Sequence, residues 1–195
     1  MAKLLSLVAS QLTISILFSS FFSTQILAEN NGYEKAIDPK LFALKEQKLT
    51  HFHFFIHHTY SGSNPSVIQI VPTPPTNISA YTFGSMSMVD DPLTEGPNLS
   101  SKLIGKAQGF DGSSAQEETS LIVAINIVFT EEKYNGSTIT LLGREQLSSK
   151  VREFPVIGGS KIFRFAQGYA QTRSYFINST SGDAIAECDI YVLHY

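Results

Sequence analysis

The segment Gly105–Phe110, GKAQGF, opens the part of the chain that decides the fold. It lies in a candidate strand, Lys102–Phe110, and a second candidate strand, Thr119–Phe129, follows after a short polar turn. Asn135-Gly136 then separates that strand from Ser137–Arg144. Both residues of this dipeptide tolerate the positive φ of a tight turn, so we predict a hairpin there.

Apolar runs and turn signals continue in both directions from this hairpin. Glycine and proline clusters such as Ser61-Gly62, Glu95-Gly96-Pro97, Gly158-Gly159 and Ser181-Gly182 separate the runs. The candidate strands are Leu49–Tyr60, Ser66–Val71, Tyr81–Val89, Lys102–Phe110, Thr119–Phe129, Ser137–Arg144, Ile162–Phe176 and Ala184–His194. Eight strands with short connections predict an all-β fold, an antiparallel up-and-down β-barrel, because closure removes the exposed sheet edges.

The N-terminus has the pattern of a secretory signal peptide over residues 1–28. Lys3 precedes a long apolar run, and the small residue Ala28 marks a plausible cleavage point. Polar residues interrupt the run, which disfavours a membrane anchor. Residues 29–48 form a polar, loosely ordered leader, and residues 49–195 form the barrel domain. We therefore expect a secreted, extracellular protein.

The composition of the chain excludes some classes of partner and of covalent link. A net charge of −3 over 195 residues, without a basic block, argues against nucleic acid. Cys188 is the only cysteine, so no disulfide forms within the chain. The sequence offers four acceptor sites for N-glycans, at Asn77, Asn98, Asn135 and Asn178. Such sites suit a secreted glycoprotein.

The segment Leu121–Phe129, LIVAINIVF, is almost continuously apolar. A strand with this pattern is buried on both faces. One face would line the barrel, and the other would be covered by a second subunit. We expect a homo-oligomer, a dimer or a trimer.

An eight-stranded barrel has room for one small ligand. His51, His53 and His57 share a strand face, and an H-x-H pair can hold a metal. The next carboxylate, Asp90, and the last histidine, His194, are poorly placed to complete such a site, so we expect no metal. We also expect no cofactor, since no phosphate cradle, nucleophile elbow, haem signature or flavin signature is present.

Asp111, Glu145 and Arg152 are the candidate catalytic residues. A carboxyl group near the end of a barrel strand can be held protonated by burial, and can then donate its proton to a leaving hydroxyl group. Arg152 could instead hold Glu145 ionised in a structural ion pair. Ion pairs of that kind are common without function, so both readings stay open.

Several short segments occur in one order along the chain. They are VDDPLT at 89–94, GKAQGF at 105–110, NGSTIT at 135–140, VREFPVIGGS at 151–160 and FRFAQGYA at 163–170. This ordered set resembles the plant dirigent family, and the resemblance covers residues 49–195. It implies the eight-stranded barrel of dirigent and allene-oxide-cyclase-like proteins, usually assembled as a trimer.

The resemblance also implies pocket positions. Dirigent proteins that steer coniferyl alcohol radicals carry His-Asp where this chain has His57-His58, and Tyr where Asp111 follows Phe110. Glu145 preserves an acid seven residues before Arg152. Gln167 stands where an Arg is common, and Gln171 lies near a further pocket position. The pocket residues implied in this way are His58, Phe110, Gln167 and Gln171.

Three functions fit this resemblance. A secreted dirigent protein would impose stereoselectivity on the coupling or cyclisation of phenolic radicals or quinone methides, with an external laccase or peroxidase supplying any oxidation. The alternative resembles the pterocarpan synthase branch, a lyase that dehydrates an isoflavanol and closes a ring through a quinone methide. A phenolic-binding protein without chemistry is the third. Whether the chain is an enzyme stays open at this point.

Overall fold

The computed structural model describes residues 37–38, 46–75 and 82–195. The predicted signal peptide, most of the predicted leader and Asn77 lie outside the described residues. No helix in the described ranges is long and apolar enough to span a membrane. The strands are β1 (Lys48–His58), β2 (Val67–Val71), β3 (Met86–Thr94), β4 (Leu103–Ser113), β5 (Ser120–Phe129), β6 (Thr138–Gln146), β7 (Arg152–Ser160), β8 (Gln167–Ile177) and β9 (Ala184–His194).

Eight of these strands form a closed antiparallel barrel. The hydrogen-bonded order runs from β1 through β9, β8, β7, β6, β5 and β4 to β3. β3 then pairs back onto β1 at Phe55↔Thr94 and Ile56↔Leu93, which closes the barrel. The predicted all-β, eight-stranded up-and-down barrel is therefore confirmed.

The predicted number of barrel strands is right, but the set of strands that forms the barrel differs in two places. Ser66–Val71 contains β2, which pairs with β3 and is a ninth strand of the sheet outside the closed set. The barrel strand absent from the prediction is β7, whose Pro155 and Gly158-Gly159 resemble turn signals. Pro155 lies just beyond the last recorded β6–β7 pair, Leu141↔Val156, where a proline is tolerated because the ladder with that neighbour has ended. Gly143 on β6 leaves room for the proline ring, since a Cβ there would lie 3.1 Å from Pro155 Cδ.

Two other boundaries also differ. The predicted hairpin at Asn135-Gly136 is a longer connection, with a 3₁₀ turn at Glu132–Tyr134 and a positive φ at Gly136 alone. A second 3₁₀ turn, Lys161–Phe163, precedes β8, so that strand begins later than expected. In the second case the helical turn carries Ile162 and Phe163, apolar residues that a pattern reading assigns to the strand.

The glycines of GKAQGF have a specific place in the barrel wall. Gly105 and Gly109 lie on β4 opposite β5, where an added Cβ would fall 2.1 Å and 2.0 Å from the backbone oxygens of Val128 and Ala124. No side chain fits at that distance. Glycine therefore allows the backbones of β4 and β5 to approach closely at these two points.

The barrel interior is closed at one end by aromatic rings. Phe52, Phe129, Tyr134 and Phe163 pack with ring centroids 4.9 to 5.8 Å apart. Above them the fully buried apolar side chains form the core, among them Phe54, Leu93, Ile127, Ile139, Ile190 and Val192. The space that remains lies toward the opposite end, where β1 ends and β7 begins.

Candidate functional site

A cavity of about 80 Å³ lies inside the barrel on the side away from the aromatic rings. Its walls are mostly apolar, and its polar side chains come from four different strands. The lining residues are Ile56, His58, Val123, Ile125, Ile127, Leu141, Glu145, Arg152, Phe154, Thr172 and Ala186. An apolar chamber with a few convergent polar groups is the usual form of a small-molecule site.

Glu145 and Arg152 form an ion pair at this cavity. Glu145 is near the end of β6 and Arg152 begins β7, so the short turn between the strands brings them together. Arg152 Nε lies 2.9 Å from Glu145 Oε1, and the arginine side chain is only 8% exposed. Arg152 also donates to the hydroxyl groups of Thr172 and Ser174, at 3.3 and 3.0 Å. Its guanidinium is thus held in one orientation.

Burial raises the pKa of Glu145, although Arg152 and His58 act in the opposite direction. A carboxylate paired with arginine would ordinarily have a lowered pKa. At this site the loss of water around the carboxyl group outweighs the attraction of the guanidinium. Glu145 is therefore easier to protonate than an exposed glutamate.

His58 also lines the cavity and is paired with Asp91 of β3. Nδ1 of His58 lies 2.6 Å from Oδ2 of Asp91, whose side chain is completely buried. Burial alone lowers the pKa of His58, but Asp91, together with Glu145 and Asp111, reverses this and raises it. Oδ1 of Asp91 accepts a hydrogen bond from Ser66 Oγ. Oδ2 has no hydrogen bond of good geometry within the described residues, so the contact with His58 is best described as an ion pair.

Asp111 completes the ionisable group at this end of the barrel. Burial and the charge of Glu145 raise the pKa of Asp111 to about 6, although His58 acts to lower it. Tyr60, directly beyond β1, is coupled to the same carboxyl groups. Burial and Asp111 raise its pKa to about 12, so the phenol stays protonated. The predicted residues His58, Asp111, Glu145 and Arg152 are thus brought to one end of the barrel.

The other three predicted pocket residues do not line this cavity, and for it those predictions are wrong. Phe110 is 37% exposed and faces outward beside Met88 and Ala124. Because strand neighbours alternate between faces, an inward Asp111 requires an outward Phe110. Gln167 is exposed at the start of β8. Gln171 lies on an exposed contact, donating to Glu153 Oε2 at 3.1 Å.

Sequence reasoning missed Asp91 and Thr172. The motif VDDPLT offers two adjacent carboxylates, which must point to opposite faces of β3. Asp90 lies outside, with its Oδ2 2.6 Å from Lys106 Nζ, and Asp91 lies inside. Only the pairing of β1 with β3 shows that the inner carboxylate meets His58. No local signal marks Thr172.

The remaining histidines each have a protein partner. His51 pairs with Asp189 at 2.8 Å, and His53 with Glu187 at 2.9 Å, on the outside of the barrel. His57 is buried and lies 2.6 Å from Thr94 Oγ1. In the part of the chain that the structure describes, no three His, Cys, Asp or Glu side chains are grouped to hold a metal.

Three of the four glycan acceptor sites fall on described residues. Asn98, Asn135 and Asn178 are all exposed in connections between strands. Asn178 uses its Oδ1 to accept hydrogen bonds from the backbone N–H groups of Thr180 and Ser181. Its side-chain nitrogen makes neither of those contacts, so the pattern is compatible with a glycan.

Comparisons with known proteins identify the family and the fold. A family model described as dirigent-like protein matches residues 49–193. Pterocarpan synthase 1 of Glycine max is 43% identical over 185 residues, which is 94% of this chain and 95% of that protein. Dirigent protein 7 of Arabidopsis thaliana is 42% identical over 195 residues, the whole of both chains. The solved structure of the pterocarpan synthase dirigent protein GePTS1 superposes with a TM-score of 0.76 at 41% identity, covering 83% of this chain and 99% of that one.

Proposed function

The chain belongs to the dirigent family, whose model matches residues 49–193, and we propose that it dehydrates a phenolic benzylic alcohol and directs the cyclisation of the resulting quinone methide. One observation carries this proposal. His58, Asp111, Glu145 and Arg152 converge at one end of an apolar barrel, and burial or neighbouring charge shifts the pKa of each of the three acids among them. Groups shifted in this way are suited to exchange protons near neutral pH.

The chemistry needs one proton donor and one proton acceptor. The donor protonates the benzylic hydroxyl group, the C–O bond breaks, and water leaves. The acceptor takes the proton of the phenol, and a neutral quinone methide forms. An internal hydroxyl group then adds to the electrophilic carbon, its proton restores the donor, and the carbonyl oxygen takes its proton back. The balance is one substrate to one cyclic product and one water, with no oxidant.

The apolar walls supply the selectivity. Ile56, Ile125, Leu141 and Phe154 face the cavity and exclude water, which would otherwise add to a quinone methide. Holding the internal hydroxyl group on one face of the electrophilic carbon determines the product enantiomer, and about 1.4 kcal/mol of preference gives a tenfold ratio. The cavity is about 80 Å³, so a substrate of several rings would extend beyond it.

The test is a chiral chromatographic assay on the secreted protein. Racemic isoflavanol is incubated without oxidant, and coniferyl alcohol is incubated with a laccase. We expect loss of water from the isoflavanol and a single enantiomer of cyclic product in the first reaction. Absence of any dehydration, with the protein folded, would contradict the proposal.

A second candidate is the auxiliary function, in which the barrel orients phenoxy radicals made by an external laccase or peroxidase. The apolar chamber favours it, because shape alone can position a radical and no proton transfer is then required. Enantiomeric excess confined to the coniferyl alcohol reaction would support this function. An unchanged rate and product ratio in both reactions would leave binding of a phenol as the function.

Secretion to the plant apoplast forms part of the proposal. It is supported by the signal-like pattern of residues 1–28 and by three exposed glycan acceptor sites. Mass spectrometry of protein from the extracellular fluid should give a mature N-terminus at Glu29 and a mass that falls on treatment with a glycosidase. Retention of residues 1–28 would contradict it.

We further propose that the chain assembles as a homo-oligomer, a dimer or a trimer. Directly paired residues form an apolar row across the outside of five strands, from β2 to β6: Ile68, Met88, Phe110, Ala124 and Leu142. Four of them are 37 to 56% exposed. A contiguous apolar row on a barrel wall is typical of a surface that is covered in an assembly.

A further inference from the structure

We propose that His58 is the catalytic proton donor to the leaving hydroxyl group, and that Asp91 is the positioning residue that orients and charges it. This inference rests on the dehydration chemistry proposed above, and it assigns the two proton-transfer roles to particular side chains. The carboxyl groups Asp111 and Glu145 were the donors expected from the sequence. The geometry around Asp91 points to the imidazole instead.

Asp91 is buried inside the barrel wall. Its carboxyl group is fully enclosed, and a buried carboxylate is strongly unfavourable unless a cation compensates it. Among the residues that the structure describes, the ion pair recorded for Asp91 is with His58, at 2.6 Å. An imidazolium therefore suits this position better than a neutral imidazole.

Ser66 orients the carboxylate of Asp91. Ser66 Oγ donates to Asp91 Oδ1 and accepts from the backbone N–H of Thr59 at 3.0 Å. The backbone N–H of Ser66 in turn donates to the carbonyl oxygen of Thr59 at 2.9 Å. The connection between β1 and β2 thus fixes Ser66, and Ser66 fixes one oxygen of the carboxylate. The other oxygen is directed at His58.

The contact with Asp91 also determines which ring nitrogen of His58 is left for the cavity. Nδ1 of His58 is engaged by Asp91, so Nε2 is the nitrogen left for the cavity that the side chain lines. A carboxylate that holds Nδ1–H fixes the tautomer and stabilises the imidazolium, in the way that second-shell carboxylates do in other acid–base sites. Nε2–H is then a proton donor that faces the substrate chamber.

The surroundings of His58 and Asp111 favour different protonation states for the two side chains. His58 faces charged groups from every side: Asp91 on β3, Asp111 on β4, Glu145 on β6 and Arg152 on β7, with His57 beside it on β1. Against the effect of burial, Asp91 raises the pKa of His58, and burial raises the pKa of Asp111 to about 6. The contact of His58 with the enclosed carboxylate of Asp91 favours imidazolium at His58. We therefore assign the donor role to His58 and the acceptor role to the carboxylate of Asp111.

The proton balance follows. Nε2–H of His58 protonates the hydroxyl oxygen, the C–O bond breaks, and water leaves. The carboxylate of Asp111 takes the phenolic proton, and the quinone methide forms. On ring closure the attacking hydroxyl group returns its proton to Nε2, and Asp111 returns its proton to the carbonyl oxygen.

A purely structural role for Asp91 has to be separated from this one. The ladder between β1 and β3 consists of two residue pairs, and the contacts of Asp91 with His58 and of Thr94 with His57 lie at the same seam. Loss of Asp91 could therefore loosen the barrel. The test needs a measurement that stability alone does not move.

The experiment combines a pH profile with NMR titration of ¹⁵N-labelled imidazoles. The variants are Asp91→Asn and His58→Gln, and the matched controls are Asp90→Asn on the same strand and His53→Gln, an exposed histidine that is also paired with a carboxylate. Activity requires protonated His58, so it falls as the pH rises through the pKa of His58. In Asp91→Asn this limb and the NMR pKa of His58 should both move down by about 1 to 3 pH units. In His58→Gln, kcat should fall by about 10² to 10⁴ with KM retained.

The outcomes separate the two levels of the account. Dehydration by the wild type, with a full rate in folded His58→Gln or an unmoved limb in Asp91→Asn, would overturn the donor assignment and leave the proposed function standing. No dehydration by the wild type would overturn the proposed function, and the donor role with it, even if NMR finds the ion pair. If Asp91→Asn does not fold, Ser66→Ala replaces it and should move the same limb in the same direction by a smaller amount.

Discussion

Nδ1 of His58 and Oδ2 of Asp91 lie 2.6 Å apart across the seam at which β3 closes onto β1. The pairing of β3 with β1 closes the barrel, and it also places Asp91 beside His58, a residue that lines the cavity. The family resemblance implies an acid at the position of His58 in dirigent proteins of the coniferyl alcohol type. In this chain the acid beside that position is Asp91, which comes from another strand.

Asp111 makes stability depend on pH. Its folded-state pKa of about 6 lies above the ordinary value of 3.8, so the folded state binds the proton more tightly than the unfolded state. Stability from this group therefore falls as the pH rises from about 4 to about 6, and is constant above. Asp111→Asn should raise the free energy of unfolding at pH 7.5 by about 1 to 2 kcal/mol, after allowance for partial solvation. Urea denaturation at pH 7.5 and pH 4 checks this, and equal gains at both pH values would contradict it.

Glu145→Gln should lower the stability of the barrel. It leaves the guanidinium of Arg152, which is 8% exposed, without its carboxylate. Removing one partner of a largely buried pair costs about 1 to 3 kcal/mol at a site with some solvent contact. Glu153→Gln on the outer face of β7 is the control and should change stability by less than about 0.5 kcal/mol. Denaturant midpoints of both variants give the comparison, and equal midpoints would count against a structural ion pair.

The thiol of Cys188 should be inert in the folded protein. The side chain is completely buried, and burial raises the pKa of its thiol far above the ordinary value. Thiolate is the reactive form, so both access and ionisation are suppressed. A thiol reagent at pH 8 should label the native protein only at the rate of unfolding, and at once in denaturant. Rapid native labelling would show that this part of the wall opens.

Gly109→Ala should destabilise the barrel far more than Gly112→Ala on the same strand. A Cβ at position 109 would lie 2.0 Å from the backbone oxygen of Ala124, and backbone cannot yield without distorting β5. At position 112 the nearest atom is Met86 Cγ at 3.3 Å, the end of a flexible side chain. We expect a loss of about 2 to 3 kcal/mol for the first and under about 1 kcal/mol for the second. Thermal unfolding of the two variants decides this, and similar losses would refute the close approach.

Phe110→Asp should weaken the proposed oligomer. It places a charge in the middle of the outer apolar row, between Met88 and Ala124. Asn126→Asp on the neighbouring polar row is the control, because an aspartate there can still accept the hydrogen bond from Thr140 Oγ1. Sedimentation velocity should give a smaller species for Phe110→Asp alone. An unchanged mass for a folded variant would place the subunit contact elsewhere.

The alternation of apolar and polar side chains predicts the barrel, but it does not identify strands or connections that contain residues atypical of them. β7 contains Pro155, which suggests a turn. In the barrel it lies beyond the last recorded pair with β6, and Gly143 leaves room for its ring. The connection before β6 carries a helical turn where Asn135-Gly136 suggests a tight hairpin. Both features depend on contacts between strands, which a local pattern does not contain.

Contacts of the site between residues close in sequence can be predicted from the sequence. Contacts that depend on the closure of the barrel cannot. Glu145 and Arg152 flank one turn, so their spacing brings them together. The sequence motif draws attention to Asp111, and alternation places its neighbour Phe110 on the opposite face. Asp91 is the important omission, since its meeting with His58 is set by the pairing of the first and third strands. No spacing along the chain encodes that contact.

The central claim is that this barrel removes water from a phenolic alcohol by proton transfer alone. The most direct measurement is the initial rate of ring-closed product from racemic isoflavanol under oxygen-free conditions, resolved by chiral chromatography, for wild type and Asp111→Asn. The account predicts one product enantiomer from the wild type and a rate about 10² to 10⁴ times lower in the variant. Equal rates for the two proteins, or a racemic product formed no faster than in buffer, would contradict it.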